Sequence, residues 1–480
     1  MSRKNTIQYI HIIIMITLML GVGYLPTFGQ ITPLGMKILG VFLGVLYGWI
    51  FIDLLWPSLL GFIAISFTGF MPLSDAIISG FGNYTIWLCI VTMAFAHILS
   101  QLKITDFITY WLLSKKVFIG RPWLLIITLC ITSIILGVLG GSIAALILMW
   151  GIVLKIADLN NIELRSPLIS MLLAFILYCN MTGGSILPFN SGVILYGGFF
   201  TQATGLALQS VPFFILSLIY TIITILIMLL VSKFLLKLDV SMFSTTKELC
   251  AEYASYKANK YQKVGLILLF IYILGLFFPE IFSNLAISQT LKALGIIGFS
   301  FIYMFIFTIW KDKQGNPLVK IDEAFSSGIM WPVVILLAVT FPLSAALEAE
   351  DSGIMTTVST LLLPILSNIS VNTLIILSVI LIGLLTQIFH NVILAALFIP
   401  FLAPIVIDLG GNPQTFFLVV FLCLQCAYAT PAGSMMAGFI FGHKAVPRKY
   451  AYLFGIMFYL VSTIILTTLL IPLGNIFFTL

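Results

Sequence analysis

Two long apolar stretches of this chain are interrupted in the middle, and each is followed by a second interrupted stretch. The first carries Leu139-Gly140-Gly141-Ser142 with Ala144-Ala145-Leu146 behind it. Its counterpart carries His390-Asn391-Val392 with Ala395-Ala396-Leu397 behind it. The next apolar segment breaks at Thr182-Gly183-Gly184-Ser185…Pro188-Phe189-Asn190 in one half and at Thr430-Pro431-Ala432-Gly433-Ser434 in the other. Hydrocarbon offers no hydrogen bonds, so a helix broken inside a membrane must satisfy its freed amides and carbonyls within the protein. A single break reads equally well as a packing kink, because small residues are common where membrane helices touch. Four breaks in two matching pairs point instead to the central site of a secondary transporter.

The chain has 480 residues, of which 61% are hydrophobic and only 8% charged. A soluble domain carries about 25% charged residues, and one bilayer span takes roughly 20 apolar residues. The expected fold class is therefore an all-α polytopic membrane protein. It has about 11 transmembrane helices plus two re-entrant hairpins. The apolar runs are continuous, which excludes the short alternating strands of a membrane barrel. The spans fall near 7–27, 36–53, 54–71, 84–102, 167–200, 211–238, 264–281, 293–310, 329–347, 415–443 and 452–478, with hairpins at 123–156 and 371–406. The six cysteines read as scattered small core hydrophobes without a disulfide framework. The net charge of +6 sits in loops between spans, so it implies no nucleic-acid partner. Segment 239–263 reads either as a helix on the membrane surface or as a solvated linker.

Lysine and arginine near span ends mark the cytoplasmic side. With Arg3 and Lys4 inside, the clusters Lys103–Arg121, Lys155 with Arg165, Lys233–Lys263, Lys311–Lys320 and Lys444–Lys449 all fall inside. Only Lys37 and Lys292 fall outside, and Glu348-Ala349-Glu350-Asp351 lands externally. The pattern holds only if both hairpins return to their own side; as full spans, each would invert every later loop. The N-terminus is thus expected in the cytoplasm, with the protein in the inner (plasma) membrane. The poor cleavage site after Val22 makes the first helix a retained one. The halves also correspond: Asp75-Ala76…Ser79-Gly80…Trp87 leads one, and Asp322-Glu323-Ala324…Ser327-Gly328…Trp331 leads the other. Starting on opposite sides, they form an inverted-topology repeat. The organisation expected is scaffold helices 1–122, a first transport unit 123–200, and a scaffold helix with cytoplasmic linker 201–263. Second-half scaffold helices 264–370, a second transport unit 371–446 and a C-terminal scaffold helix 447–480 follow.

The breaks suggest two chemistries. Helix N-termini carry positive partial charge and exposed N–H groups, which suit an anion. Freed carbonyls, with the oxygens of Ser142, Asn391, Thr430 and Ser434, suit a small hard cation. His390 is an ionisable group at mid-membrane, where it could bond substrate or gate transport by protonation; equally, it could be a neutral histidine bonded to backbone. His97, His11 and Asp53 read as packing or helix-end residues.

Together these features resemble the divalent anion/sodium symporter family of dicarboxylate and citrate transporters, over nearly the whole chain. Phe81-Gly82-Asn83-Tyr84-Thr85-Ile86-Trp87-Leu88 is similar to that family's Gly-Phe-Ser-Asn-x-Thr-x-Trp-Leu stretch. The family's hairpin tips carry Ser-Asn-Thr. Here they become Gly140, Gly141 and Ser142 in one half and His390, Asn391 and Val392 in the other. Its Thr-Pro loop is matched at Thr430 and Pro431, and more loosely at Pro188 and Asn190. The resemblance implies a substrate site at Gly141, Ser142, Pro188, Asn190, His390, Asn391, Thr430 and Pro431. It implies sodium ligands at Gly140, Ser142, Gly184, Asn391, Ala429 and Gly433. It further implies elevator-type alternating access and a homodimer, with sodium as coupling ion or carboxylate exchange in its place.

The leading expectation is a carrier of di- or tricarboxylates that uses no cofactor beyond Na+. The alternatives are an inorganic anion or metalloid permease of the same superfamily, and a non-transporting receptor or scaffold. No GxxxxGK[ST], HExxH or Gly-x-Ser-x-Gly motif is present, so neither an ATP-driven pump nor a membrane hydrolase is expected.

Overall fold

In the computed structural model, residues 3–115, 120–139, 143–240, 256, 259–311, 315, 317, 319–357, 360 and 369–478 are described. Among them the fold is helical, with ten helices long and apolar enough to cross a membrane. The first half opens with α1 (Arg3–Gly21), α2 (Pro33–Phe51), α3 (Leu55–Thr68), α4 (Leu73–Phe81), α5 (Tyr84–Gln101) and α6 (Ile104–Leu113). A hairpin follows, α7 (Pro122–Val138) and α8 (Ile143–Leu159), then the broken helix α9 (Pro167–Gly184) and α10 (Ser191–Thr204), then α11 (Ser210–Leu230). The second half runs through α12 (Lys260–Ile281), α13 (Ala286–Ile309), α14 (Ile321–Ser326) and α15 (Trp331–Glu348). Its hairpin is α16 (Val371–Leu385) and α17 (Asn391–Asp408), and its broken helix is α18 (Pro413–Leu424) and α19 (Met435–Gly442). Helix α20 (Arg448–Ile465) passes through a π-helical turn into α21 (Ile471–Phe477).

Polar caps set where the apolar helices begin. Thr32, Ser166 and Asn412 each accept a hydrogen bond from the first turn of a helix whose first residue is proline. Proline suits that position because the lost N–H would be unpaired anyway. Asn259 and Gln262 form a reciprocal capping box at α12. Asp53 accepts from Leu55 N at 2.6 Å, the helix-end role expected of it. His11 is a packing residue, with Nδ1 2.8 Å from the Tyr47 hydroxyl and its ring stacked on Phe51.

The two halves interlock reciprocally. Helices α3 and α4 pack on α15, while α13 and α14 pack on α5. The glycines paired from sequence sit at equivalent contacts. A β-carbon on Gly80 would lie 2.5 Å from the Ala338 carbonyl oxygen, and one on Gly328 would lie 2.7 Å from His97 Cβ. Such an exchange follows when a two-fold relates the halves. The most buried elements are the first segments of the broken helices: every residue of α18 and nearly all of α9 is buried. Both are apolar all round, as a helix in the centre of a bundle must be.

Loop contacts sort the chain into two ends. At one, Thr32 Oγ1 donates to Asp351 O at 2.6 Å, Gln414 Nε2 to Ala207 O at 2.7 Å and Val211 N to Glu280 Oε1 at 2.9 Å. At the other, Lys320 N donates to Gln101 Oε1 at 2.9 Å and Gln262 Nε2 to Lys103 O at 3.0 Å. The two sets are the same-side groupings that the lysine and arginine pattern predicts. The second hairpin returns to its starting end: Asn372 at its start bonds Asn475 at 3.3 Å, and Asn412 just after it bonds Phe478 O at 3.0 Å.

Three local expectations change. Helices α4 and α6 occupy stretches read as loops. Helix α13 begins at Ala286, not near residue 293, and contains a sharp kink at Gly295 (φ 57°, ψ −174°), which is where the sequence pattern appeared to start. Most of segment 239–263 lies outside the described residues.

Candidate functional site

The second hairpin tip is stapled to the second break by side-chain amides. Thr386 Oγ1 donates to Asn391 Oδ1 at 2.7 Å, and Asn391 Nδ2 donates to Leu424 O at 2.6 Å. Gln387 Nε2 donates to Gly383 O at 2.9 Å and to Cys426 O at 3.0 Å, and its Oε1 accepts from Ala429 N at 2.9 Å. Thr430 Oγ1 closes the loop by donating to Gln387 O. Ser434 caps α19 by accepting from Ala437 N at 3.0 Å, and donates to Ala427 O at 2.9 Å. Gly433 lets the loop pack closely: a β-carbon there would crowd the carbonyl oxygens of Ala427 at 3.0 Å and Thr386 at 3.2 Å. Asn391, Ala429, Thr430 and Gly433 therefore form one cluster of hydroxyl, amide and carbonyl groups.

His390 caps α17 and is exposed. Its Nδ1 accepts from Val392 N at 3.3 Å, which leaves Nε2 as the ring's donor in the neutral form. In the second break Pro431 is exposed and Thr430 is half-buried.

The first break is built more tightly. Thr182 Oγ1 bonds back to Tyr178 O at 2.8 Å, and Ser185 N and Ile186 N end α9 with short turns at 3.0 and 3.1 Å. Pro188 is buried, and Asn190 stands at the start of α10 without capping its backbone, its Oδ1 accepting from Ser191 Oγ at 3.4 Å. Gly184 faces it: a β-carbon there would lie 3.8 Å from Asn190 Nδ2. Asn190 and Ser191 also line a small cleft of about 60 Å³ between the first hairpin and helices α5 and α12. Gly140, Gly141 and Ser142 of the first tip lie outside the described residues.

The two broken helices cross at their breaks. Tyr178, on α9 before the first break, has its ring 5.1 Å from that of Tyr428, inside the second. Tyr196, after the first break, lies 5.6 Å from Phe421, before the second. Segments 122–154, 167–232 and 409–442 contain no Asp, Glu, Lys, Arg or His, and 352–407 contains His390 alone. The crossing is thus lined by helix N-termini, carbonyls, hydroxyls and carboxamides. It can hold an anion on N–H groups and a hard cation on oxygens, with no fixed charge on the protein.

Residues 41–308 match the family described as citrate transporter (CitMHS). The chain belongs to the citrate transporter family. The crystal structure of the Alcanivorax borkumensis YdaH transporter has a similar fold. That protein is 12% identical, with a TM-score of 0.58, over 85% of this chain and 88% of its own. Among curated proteins none matches. Membership of a transporter family accords with the resemblance drawn from the breaks.

Several site-building residues escape a sequence reading. Gln387 and Thr386 hold the second tip together, yet neither is part of a recognisable triplet. Cys423 and Cys426 stand at Cys-x-x-Cys spacing, which a reading of the cysteines as scattered passes over. Both are free and buried; Cys423 Sγ donates to Val379 O at 3.1 Å and Cys426 Sγ to Leu422 O at 3.3 Å. Cys423 thus ties α18 to the second hairpin, Cys426 bonds back within its own turn and lies 3.4 Å from the Tyr220 hydroxyl of α11, and the two form no disulfide.

Proposed function

We propose that this chain is a secondary active carrier of a small organic anion, a di- or tricarboxylate, working by alternating access. The observation that carries the reading is the uncharged crossing of two broken helices. Helices α10, α17 and α19 begin there, and α8 begins beside the first tip. Each helix N-terminus is worth about half an elementary charge, so four supply roughly two. That balances a dicarboxylate, whereas a tricarboxylate leaves about one negative charge for a co-bound cation. The oxygens around Asn391, Ala429 and Gly433 give sodium a place, supporting symport; a dicarboxylate needs no cation, and exchange then suffices. The cleft beside Asn190 opens between the first hairpin and first break on one side and α5 and α12 on the other. This supports an elevator in which α7–α10 and α16–α19 move against the flanking helices, with those helices forming a homodimer in the plasma membrane and the N-terminus in the cytoplasm.

Thermal stabilisation of the purified protein tests the site. Citrate or succinate with sodium raises the unfolding midpoint of the wild type, and His390→Ala or Asn391→Ala removes that rise. His390→Ala also removes the cap of α17 and lowers the ligand-free midpoint, so the ligand-induced rise is read from each variant's own baseline. A response to sulfate or phosphate but not to carboxylates would transfer the reading to an inorganic-anion permease. An unaltered citrate response in both variants would remove the second tip from the site.

A further inference from the structure

Asn180 lies on α9 just ahead of the first break and is fully buried. Neither its amide oxygen nor its amide nitrogen has a hydrogen-bond partner among the described residues. Buried polar atoms in folded proteins are nearly always paired, and an amide left open at both ends destabilises the fold around it. Gly183 and Gly184, three and four positions on, share its helix face. That face meets the first hairpin. A β-carbon on Gly137 would lie 2.0 Å from the Asn180 carbonyl oxygen, and one on Gly183 would lie 2.3 Å from Ile134 O. The two backbones are as close as glycine permits, and the next turn brings Gly184 beside Asn190.

The other half handles the equivalent position differently. Asn180 precedes Pro188 by the same interval as Cys423 precedes Pro431. Cys423 is closed off, its thiol bonded to Val379 O of the second hairpin. The first half has an open carboxamide in that place. Water can complete either end or bridge both. A cation and a carboxylate together complete both, the oxygen toward the cation and the NH2 toward the carboxylate.

We infer that Asn180 is a ligand of the transported load, contacting the coupling cation through Oδ1 and a substrate carboxylate through Nδ2 where the first hairpin meets the first break. The inference rests on the carrier reading above and adds a residue to it.

Asn180→Leu separates a ligand from a packing residue, because leucine has nearly the same size and leaves no open polar atom. In either case the ligand-free unfolding midpoint should rise. If Asn180 is a ligand, the stabilised variant loses the midpoint shifts produced by sodium chloride (against potassium chloride) and by sodium citrate. Its citrate uptake into proteoliposomes falls on the order of ten- to a hundred-fold. Asn180→Asp, which keeps an oxygen but not the NH2, retains the sodium shift and loses the citrate shift. A leucine variant with wild-type shifts overturns the inference and leaves the carrier reading standing. A wild type that takes up no carboxylate overturns the carrier reading; the sodium shift, kept or lost in the leucine variant, then still decides for Asn180. A wild type that neither salt shifts overturns the ligand role outright.

Discussion

Replacing Gln387 should detach the second hairpin from the second break, and the effect can be worked from its bonds. Its carboxamide makes three, to Gly383 O, Cys426 O and Ala429 N. They are not equivalent. Cys426 O also accepts from Tyr428 N at 2.9 Å, so it stays paired when Gln387 is changed. Ala429 N has no other acceptor and is 7% exposed, so its N–H becomes a buried orphan. An orphaned buried donor costs about 1–3 kcal/mol, and the two weaker losses bring the sum to about 3 kcal/mol. Gln387→Met keeps the volume and isolates that sum; Gln387→Ala adds about 1–2 kcal/mol for the space left behind. About 3 kcal/mol enriches the detached tip by roughly a hundredfold. Unfolding midpoints in detergent should order wild type above Gln387→Met above Gln387→Ala, with citrate uptake lost in both variants. A methionine variant with the wild-type midpoint and uptake would refute the staple.

The close approach of the first hairpin makes Gly137→Ala disruptive. Its new methyl would meet Asn180 O at 2.0 Å and Gly184 N at 2.9 Å, both backbone atoms. Overpacking of this kind costs about 1–3 kcal/mol, so the unfolding midpoint should fall and uptake with it. Unchanged uptake would mean that the two segments separate freely. His443, beyond the end of α19, packs edge-on against Trp150 at 5.0 Å and accepts from Ala445 N at 3.2 Å. Partial burial lowers its pKa below the usual histidine value. The neutral ring is therefore favoured in the fold. Its stabilising contribution is complete above about pH 6.5 and is lost as pH falls through the lowered value. His443→Gln should flatten the unfolding midpoint over that range; an unchanged slope would assign it to other groups.

The breaks were legible because a membrane helix has few reasons to carry Gly-Gly, Thr-Pro or His-Asn in its middle, and fewer to do so twice in register. The hairpin returns were legible from charge alone, since Lys311 and Lys320 share a side with Lys103 only if the first hairpin doubles back, and Lys444 and Lys449 join them only if the second does too. The kink in α13 was hidden because Gly295 looks like a helix start when the preceding turns carry Ser288, Gln289 and Lys292. Helices α4 and α6 were hidden by Ser74, Asp75 and Asp106, polar residues that suit helix ends as well as loops. Gln387 and Asn180 were illegible for a deeper reason. Each is one carboxamide in an apolar run, and its meaning lies in a partner about 40 residues away or in the absence of any. Only the crossing of the chains displays either.

Transport of an organic anion is decided by uptake of labelled citrate and succinate into proteoliposomes. The vesicles are run with and without an inward sodium gradient, and empty or preloaded with unlabelled dicarboxylate. A carrier accumulates carboxylate in at least one format: sodium-driven into empty vesicles for a symporter, or only into preloaded vesicles for an exchanger. Absence of uptake in every format, from protein that is folded and oriented both ways, would contradict it.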